Sequence, residues 1–237
     1  MPTATVEDYV KAIYLAQHDR PARARMAAAD RPAPSRGRAA AGRIALGELA
    51  ARMRVVPGTA TAMVKTLADA GLADYAPRRG VRLTPGGEKL ALHVLRKHRI
   101  VELILVRVLQ LDWSEVHDEA EALEHAISDK VLARLDRLLG FPSADPHGDP
   151  IPTTTGRLPR VRSRPLSELP PGTEATLLRV ASDDADFLRF AESHGLLPGA
   201  HLVVSGTSPA AATVTLQLAG RSLTLSETAA ARIHVSC

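Results

Sequence analysis

Apolar and polar positions alternate in two regimes along this chain, helical spacing first and short strand-like runs after about residue 166. Residues 5–17 place Val6, Tyr9, Val10, Ile13 and Tyr14 on one side of an amphipathic helix, with Glu7, Asp8 and Lys11 off it. Leu46, Leu49, Ala50 and Met53 predict a short helix, residues 55–58 a turn, and residues 59–70 a second helix with Met63, Val64 and Leu67 inward. Pro57 suits the first turn of that helix, where a missing N–H costs nothing. Residues 72–75 and 81–83 predict two short strands around a basic turn, Ala76-Pro77-Arg78-Arg79-Gly80. Thr84 and Pro85 then read as N-cap and first position of a long helix carrying Leu90, Val94, Leu95, Val101, Leu105 and Leu109. Residues 112–130 predict another helix, opened by Asp112 and Glu115 as a capping box and striped by Val116, Ala120, Leu123 and Ile127; residues 131–139 extend it.

The Pro-, Gly- and Asp-rich stretch 140–165 marks a boundary. Beyond it, residues 175–180, 202–205, 213–218, 222–225 and 233–235 read as strands and 184–194 as a helix, the pattern of a small β-barrel. The expected fold is therefore mainly α: a winged helix-turn-helix and a helical dimerisation domain, followed by a small C-terminal β-barrel. The boundaries are 1–86 for DNA binding, 87–152 for the helical domain, 153–165 for a linker and 166–237 for the barrel. Residues 20–43, mostly Arg, Ala and Pro, read as a disordered insert. The two long helices carry more apolar surface than a winged helix needs, which points to a homodimer.

Composition narrows the function. Aromatics are only 3% of the chain, so the core is aliphatic. The longest apolar run is broken by Glu102 and Arg107, and nothing predicts a membrane span. Glu7, Asp8 and Lys11 fall where a signal peptide would be apolar, and one cysteine, Cys237, excludes a disulfide within the chain and a thiolate zinc site; both features predict a cytoplasmic protein. The formal charge is +4, but residues 20–43 alone carry +6, so the remainder carries −2 and any nucleic-acid contact must come from local patches.

Such a patch is present. Two short helices joined by a tight turn, with a basic-tipped hairpin attached, favour double-stranded DNA as partner. Pro57 and Gly58 lead into the second helix; Thr59, Thr61, Ala62 and Lys65 would face the major groove, and Arg78 and Arg79 would meet phosphate or minor groove. The helix at 112–130 adds a second chemistry. Glu121, Glu124 and His125 lie at i, i+3 and i+4, so they project from one face, with His117 beside them. Carboxylates at helical spacing repel one another, so such a face either hydrates its charges or holds a cation, and spacing alone leaves both readings open. His98 and Glu102, four residues apart, also share a face.

Taken together, EDYVKAIY (7–14), the helix-turn-helix and wing (45–83), RKHRIVE (96–102), VHDEAEALEH (116–125) and DPHGDPIP (145–152) resemble the diphtheria toxin repressor family of metal-activated transcriptional regulators, and most closely its manganese regulators that keep a C-terminal barrel. The resemblance implies a primary metal site at Asp8, Glu121, Glu124 and His125. It implies an ancillary site at His98, Glu102 and His117, completed from the barrel by Asp183 and Asp186; from the residues alone, those two aspartates read as a helix N-cap and a first-turn acid. It also implies a repressor of metal-uptake genes that binds a palindromic operator and is not an enzyme. Iron-type relatives carry sulfur where this chain has Asp8 and Glu121, so Mn(2+) is the expected cofactor and Fe(2+) the alternative. Lys11 stands where shorter manganese regulators carry a second acid; an ammonium has no lone pair to donate, so their closely spaced two-metal cluster is not expected. Val56 and Ala62 replace polar base-reading residues. A metallohydrolase using the His/Glu cluster is a further alternative, and it leaves the helix-turn-helix unexplained.

Overall fold

A computed structural model describes residues 3–27, 42–182 and 184–237, without the side chains of 19–27. The chain forms two compact units, Met1–Leu95 with Thr154–Gly156, and Arg96–Thr153 with Arg157–Cys237.

The first unit contains α1 (Ala4–Ala27), α2 (Leu46–Arg52), α3 (Pro57–Asp69), the antiparallel pair β1 (Ala73–Ala76) and β2 (Gly80–Leu83), and the start of α4 (Pro85–Arg107). Tyr9, Val10, Ile13, Leu49, Val64, Leu67 and Val81 are buried, the positions whose spacing predicts the inward faces. Thr84 caps α4: its hydroxyl accepts from Gly87 N–H (3.2 Å) and donates to Gly71 C=O (2.7 Å). Helix α1 continues past the expected end at residue 17 to Ala27, through Ala and Arg, which are good helix formers. Of the expected insert, 28–41 lie outside the described residues. Arg43, at its far end, is a fixed part of the wing.

In the second unit, the rest of α4 packs with α5 (Val116–Glu124) and α6 (Asp129–Leu138). Ile100, Leu103, Leu132 and Ile151 form one core cluster, and Val101, Leu105, Val116 and Ala120 another. The single helix expected over 112–139 is two helices. Ser128 accepts from Val131 N–H (3.3 Å) and restarts the helix as an N-cap, a stronger local signal than the continuing apolar spacing. Nor does Asp112 start a helix: its Oδ1 accepts from Ser114 N–H (2.9 Å) and Oγ–H (2.7 Å), closing a turn before α5.

The remaining elements are β3 (Arg164–Pro165), β4 (Glu174–Val180), α7 (Ala185–Ser193), β5 (His201–Ser208), β6 (Thr213–Leu218), β7 (Arg221–Ser226), α8 (Glu227–Ala231) and β8 (Ile233–Ser236). They form an antiparallel six-stranded sheet in the order β3-β8-β4-β5-β6-β7. Among the described residues β3 and β7 do not pair with each other, so the sheet is open where a closed barrel is expected. Helices account for 46% of the chain, which makes it a mixed α and β protein rather than a mainly α one. Trp113, in the segment before α5, is buried in the core of this sheet with Leu177, Leu188, Val204, Leu216 and Ile233.

Candidate metal centre and DNA-binding face

On the DNA-binding side, α3 begins at an exposed turn. Val56 is its N-cap and is 68% exposed; Pro57, Gly58 and Thr59 follow it at the surface, and Ala62 and Lys65 are exposed one turn on. Thr61 is half-buried and its hydroxyl donates to Pro57 C=O (2.8 Å). Arg54, in the turn between α2 and α3, holds φ at +52°, a conformation that glycine or asparagine adopts at lower cost. The wing tip carries Arg78 and Arg79, both exposed. Arg43 braces the wing by donating to Asp74 C=O (2.6 Å), Gly80 C=O (3.2 Å) and the Asp74 carboxylate (2.5 Å), which also pairs with Arg82 (2.9 Å). The Arg43 hydrogen bond, reinforced by Arg82, holds the Asp74 carboxyl below the usual carboxylate range.

The second unit gathers donor groups of a different kind. His98 and Glu102 lie one turn apart on α4, and both are buried. The His98 ring reaches the Glu124 carboxylate through Nδ1 (2.6 Å), and through Nε2 it reaches Glu102 Oε1 (3.1 Å) and His117 Nδ1 (3.1 Å). His117 lies 3.4 Å from Glu102 and 3.8 Å from Glu121, while His125 Nε2 lies 3.4 Å from Glu124. The expected primary and ancillary residues of this unit thus form one connected series, with His98 and Glu124 as the link. Glu124 is fully buried, whereas the Glu121 side chain is 53% exposed and leans to His117 rather than to Glu124 and His125. Burial raises the Glu102 carboxyl, but the His98 charge and hydrogen bonds from His117 and His98 outweigh it and hold the group well below its ordinary range. His98 between two buried carboxylates is satisfied as imidazolium. A cation at the same place can take over that role and release the proton.

Beyond Glu102 the series continues to two residues that spacing did not single out. One ligand atom each of Glu102, Asp145 and His147 lie within 4.8 Å of one another, and all three residues are buried. His147 Nε2 donates to Trp113 C=O (3.0 Å), so a neutral ring keeps its lone pair on Nδ1. Metal-binding imidazoles are oriented in the same way, by a second hydrogen bond to a carbonyl. Asp145 Oδ1 accepts from the N–H groups of His147 and Asp149 (2.9 Å each), and Oδ2 lies 3.4 Å from Arg99 Nε. Burial, with the charges of Asp149 and Glu102, pushes the Asp145 carboxyl well up. Strand β4 holds this loop. Val180 N–H donates to His147 C=O (2.9 Å), Arg179 pairs with Asp149 (2.9 Å), and a Cβ on Gly148 would stand 2.0 Å from Leu178 C=O. The available signal was a histidine between two aspartates in a Pro/Gly turn, DPHGDPIP.

Of the other expected ligands, Asp8 is half-buried on α1 in the first unit, and Asp183 lies outside the described residues. Asp186 is 91% exposed and pairs with Arg189 (2.5 Å); no described cluster of donor groups includes it. The second unit also exposes Val108, Leu109, Leu123, Val131, Leu138 and Phe141, more apolar surface than a monomer usually leaves open. Among the described residues no helix is long and apolar enough to cross a membrane.

Comparison with known proteins agrees with this division. Residues 41–81 match the family described as iron dependent repressor, N-terminal DNA binding domain; residues 84–153 match its metal binding and dimerisation domain, and residues 164–237 match the FeoA domain. The chain is 34% identical over 177 residues to the iron-dependent repressor IdeR of Mycobacterium leprae, covering 68% of this chain and 75% of that one. Among solved structures, a manganese-dependent transcriptional repressor in complex with manganese is 34% identical, with a TM-score of 0.80 over 97% of this chain and 98% of that one. The manganese regulator SloR is 30% identical, with a TM-score of 0.71 over 98% of this chain and 97% of that one.

Proposed function

This chain belongs to the diphtheria toxin repressor family of metal-dependent, DNA-binding transcriptional repressors, which are not enzymes, and on that premise we propose that it is a cytoplasmic homodimer activated by Mn(II). The observation that carries the choice of metal is the donor set. Every ligand-type side chain in the series is a carboxylate or an imidazole, with no sulfur among them. Hard oxygen donors with imidazole suit Mn(II) better than the softer ions that thiolate or thioether selects.

Asp8, Glu121, Glu124 and His125 would hold one ion, and His98, Glu102 and His117 a second. Asp145 and His147 are better disposed than Asp186 to complete that second set, because Asp186 is committed to Arg189 at the surface. Bound Mn(II) supplies divalent charge and coordination positions for oxygen and nitrogen. Without that charge, Glu121, Glu124 and Asp8 repel one another, which works against Asp8 engaging residues of the other unit. With it, Asp8 shares a ligand set with them, so the DNA-binding unit is restrained and the two recognition helices of a dimer acquire a fixed spacing for a palindromic operator. The genes under control would be those of metal uptake.

A second reading, activation by Fe(II), is favoured by the iron-dependent repressors among the curated relatives. Anisotropy titrations of selected genomic fragments at fixed salt, with apo protein, Mn(II) and anaerobic Fe(II), separate the two. The Mn(II) reading predicts the tightest binding with Mn(II) and its loss in Glu121→Gln. Tightest binding with Fe(II) selects the alternative.

A further inference from the structure

Resting on the reading that α3 enters a DNA major groove, we propose that its first turn reads thymine by the C5-methyl group, through Val56, Gly58, Ala62 and the methyl of Thr61, rather than by hydrogen bonds to base edges.

Three features at this turn cost folding free energy and return nothing to the fold. Val56 occupies the N-cap with no side-chain cap bond, where Ser, Thr, Asp or Asn would stabilise the helix. Its side chain is 68% exposed, so the apolar surface is not repaid by burial. Gly58 lies inside α3, where glycine is a poor helix former, yet a Cβ there would meet nothing within 4 Å, so packing does not call for glycine. A partner that needs an apolar side chain at 56 and close backbone approach at 58 accounts for all three.

The polar groups of the same face point to the same chemistry. The Thr61 hydroxyl is spent on Pro57 C=O and the Thr66 hydroxyl on Ala62 C=O (3.3 Å), which leaves methyl groups outward. Ala62 has no donor to offer. Exposed Lys65 and the wing-tip Arg78 and Arg79 supply positive charge for phosphates, so the occupant is duplex DNA rather than an apolar protein surface. In the major groove only thymine presents a methyl group, which makes an apolar reader selective for it.

The test uses full-length protein saturated with Mn(II) and a duplex selected by that protein from a random pool. Each thymine is replaced singly by deoxyuridine, which removes the methyl and keeps every hydrogen-bonding group. At one or more positions per half-site, affinity is expected to fall about 4-fold, the effect of one buried methyl-sized group. Val56→Ser is expected to bind more weakly and to lose discrimination between thymine and uracil at one of them. Gly58→Ala is expected to match or exceed the wild-type melting temperature while binding the duplex more weakly, which separates a DNA role from a folding role. Binding that ignores every thymine-to-uracil change but responds to G·C replacements overturns the inference and leaves the function standing. Gly58→Ala that binds like wild type also overturns it. Wild-type protein that selects no duplex overturns both.

Discussion

Gly148→Ala tests whether the sheet holds the metal-binding loop. Gly148 has φ at +90°, where an L side chain costs about 1–2 kcal/mol. The added Cβ would lie 2.0 Å from Leu178 C=O, against an ordinary carbon–oxygen contact of about 3.3 Å. The loop must therefore retreat from β4 by roughly 1 Å. That movement breaks the Val180 N–H···O=C His147 bond, worth about 1 kcal/mol net, and loosens Arg179–Asp149, worth about 0–1 kcal/mol at its exposure. The sum is roughly 2–4 kcal/mol, or a melting temperature lower by about 5–15 °C. Because His147 and Asp145 move with the loop, Mn(II) affinity is expected to fall about 10–100-fold. Gly172→Ala is the control: Gly172 has φ at +85° and an added Cβ there would meet nothing within 4 Å, so it reports the backbone cost alone. Thermal unfolding of apo protein and calorimetric Mn(II) titration read both effects. Unchanged Mn(II) affinity in a folded Gly148→Ala protein would refute the coupling between loop and sheet.

Other consequences follow from the same geometry. His147→Ala should weaken one class of Mn(II) sites about 10-fold or more by titration, and an unchanged isotherm would confine Glu102 to the His98 and His117 side. Mn(II) binding should release protons, from His98 and Asp145 above all, so affinity falls as pH is lowered from about 8 to about 6; titrations in buffers of different ionisation enthalpy measure the release, and none would contradict the proton-for-cation exchange. Burial and the Arg179 charge depress His234 to about 4 from 6.5, so the folded state keeps it neutral. The stability it contributes is full above about pH 6.5 and is lost as pH falls towards about 4, by roughly 1 kcal/mol at about pH 5 after allowance for its exposed part. His234→Gln should melt with a flatter dependence on pH between 7 and 5, and an equal slope would count against this. Asp74→Ala should free the wing from Arg43 and Arg82, weakening DNA binding in anisotropy titrations while Mn(II) affinity stays; equal DNA affinity would make the brace irrelevant to binding.

Much of this was legible in the sequence wherever local rules acted alone. The faces of α3 and α4, the cap at Thr84 and the strands β4 to β8 follow from apolar spacing and turn residues, and His98 and Glu102 share a face because they are four residues apart. Closure of the sheet was not legible, because it depends on whether β3 and β7 meet, and no local pattern encodes that pairing. The break between α5 and α6 turns on Ser128 as an N-cap, a signal that the unbroken apolar spacing of Leu123, Ile127 and Val131 masks. Asp145 and His147 escaped because their place beside Glu102 is made by a loop held on β4, a contact between residues distant in sequence. Arg43 escaped because composition assigns it to the Arg-rich segment, while its side chain is spent on Asp74 and Gly80.

The central claim is that Mn(II) and DNA bind cooperatively to one arrangement of the protein, and calorimetric titration of Mn(II) into free protein and into protein saturated with its selected duplex tests it directly. The account predicts tighter Mn(II) binding on the duplex, by the same factor by which Mn(II) tightens DNA binding, because the coupling free energy is reciprocal. Equal Mn(II) affinity with and without DNA would contradict it.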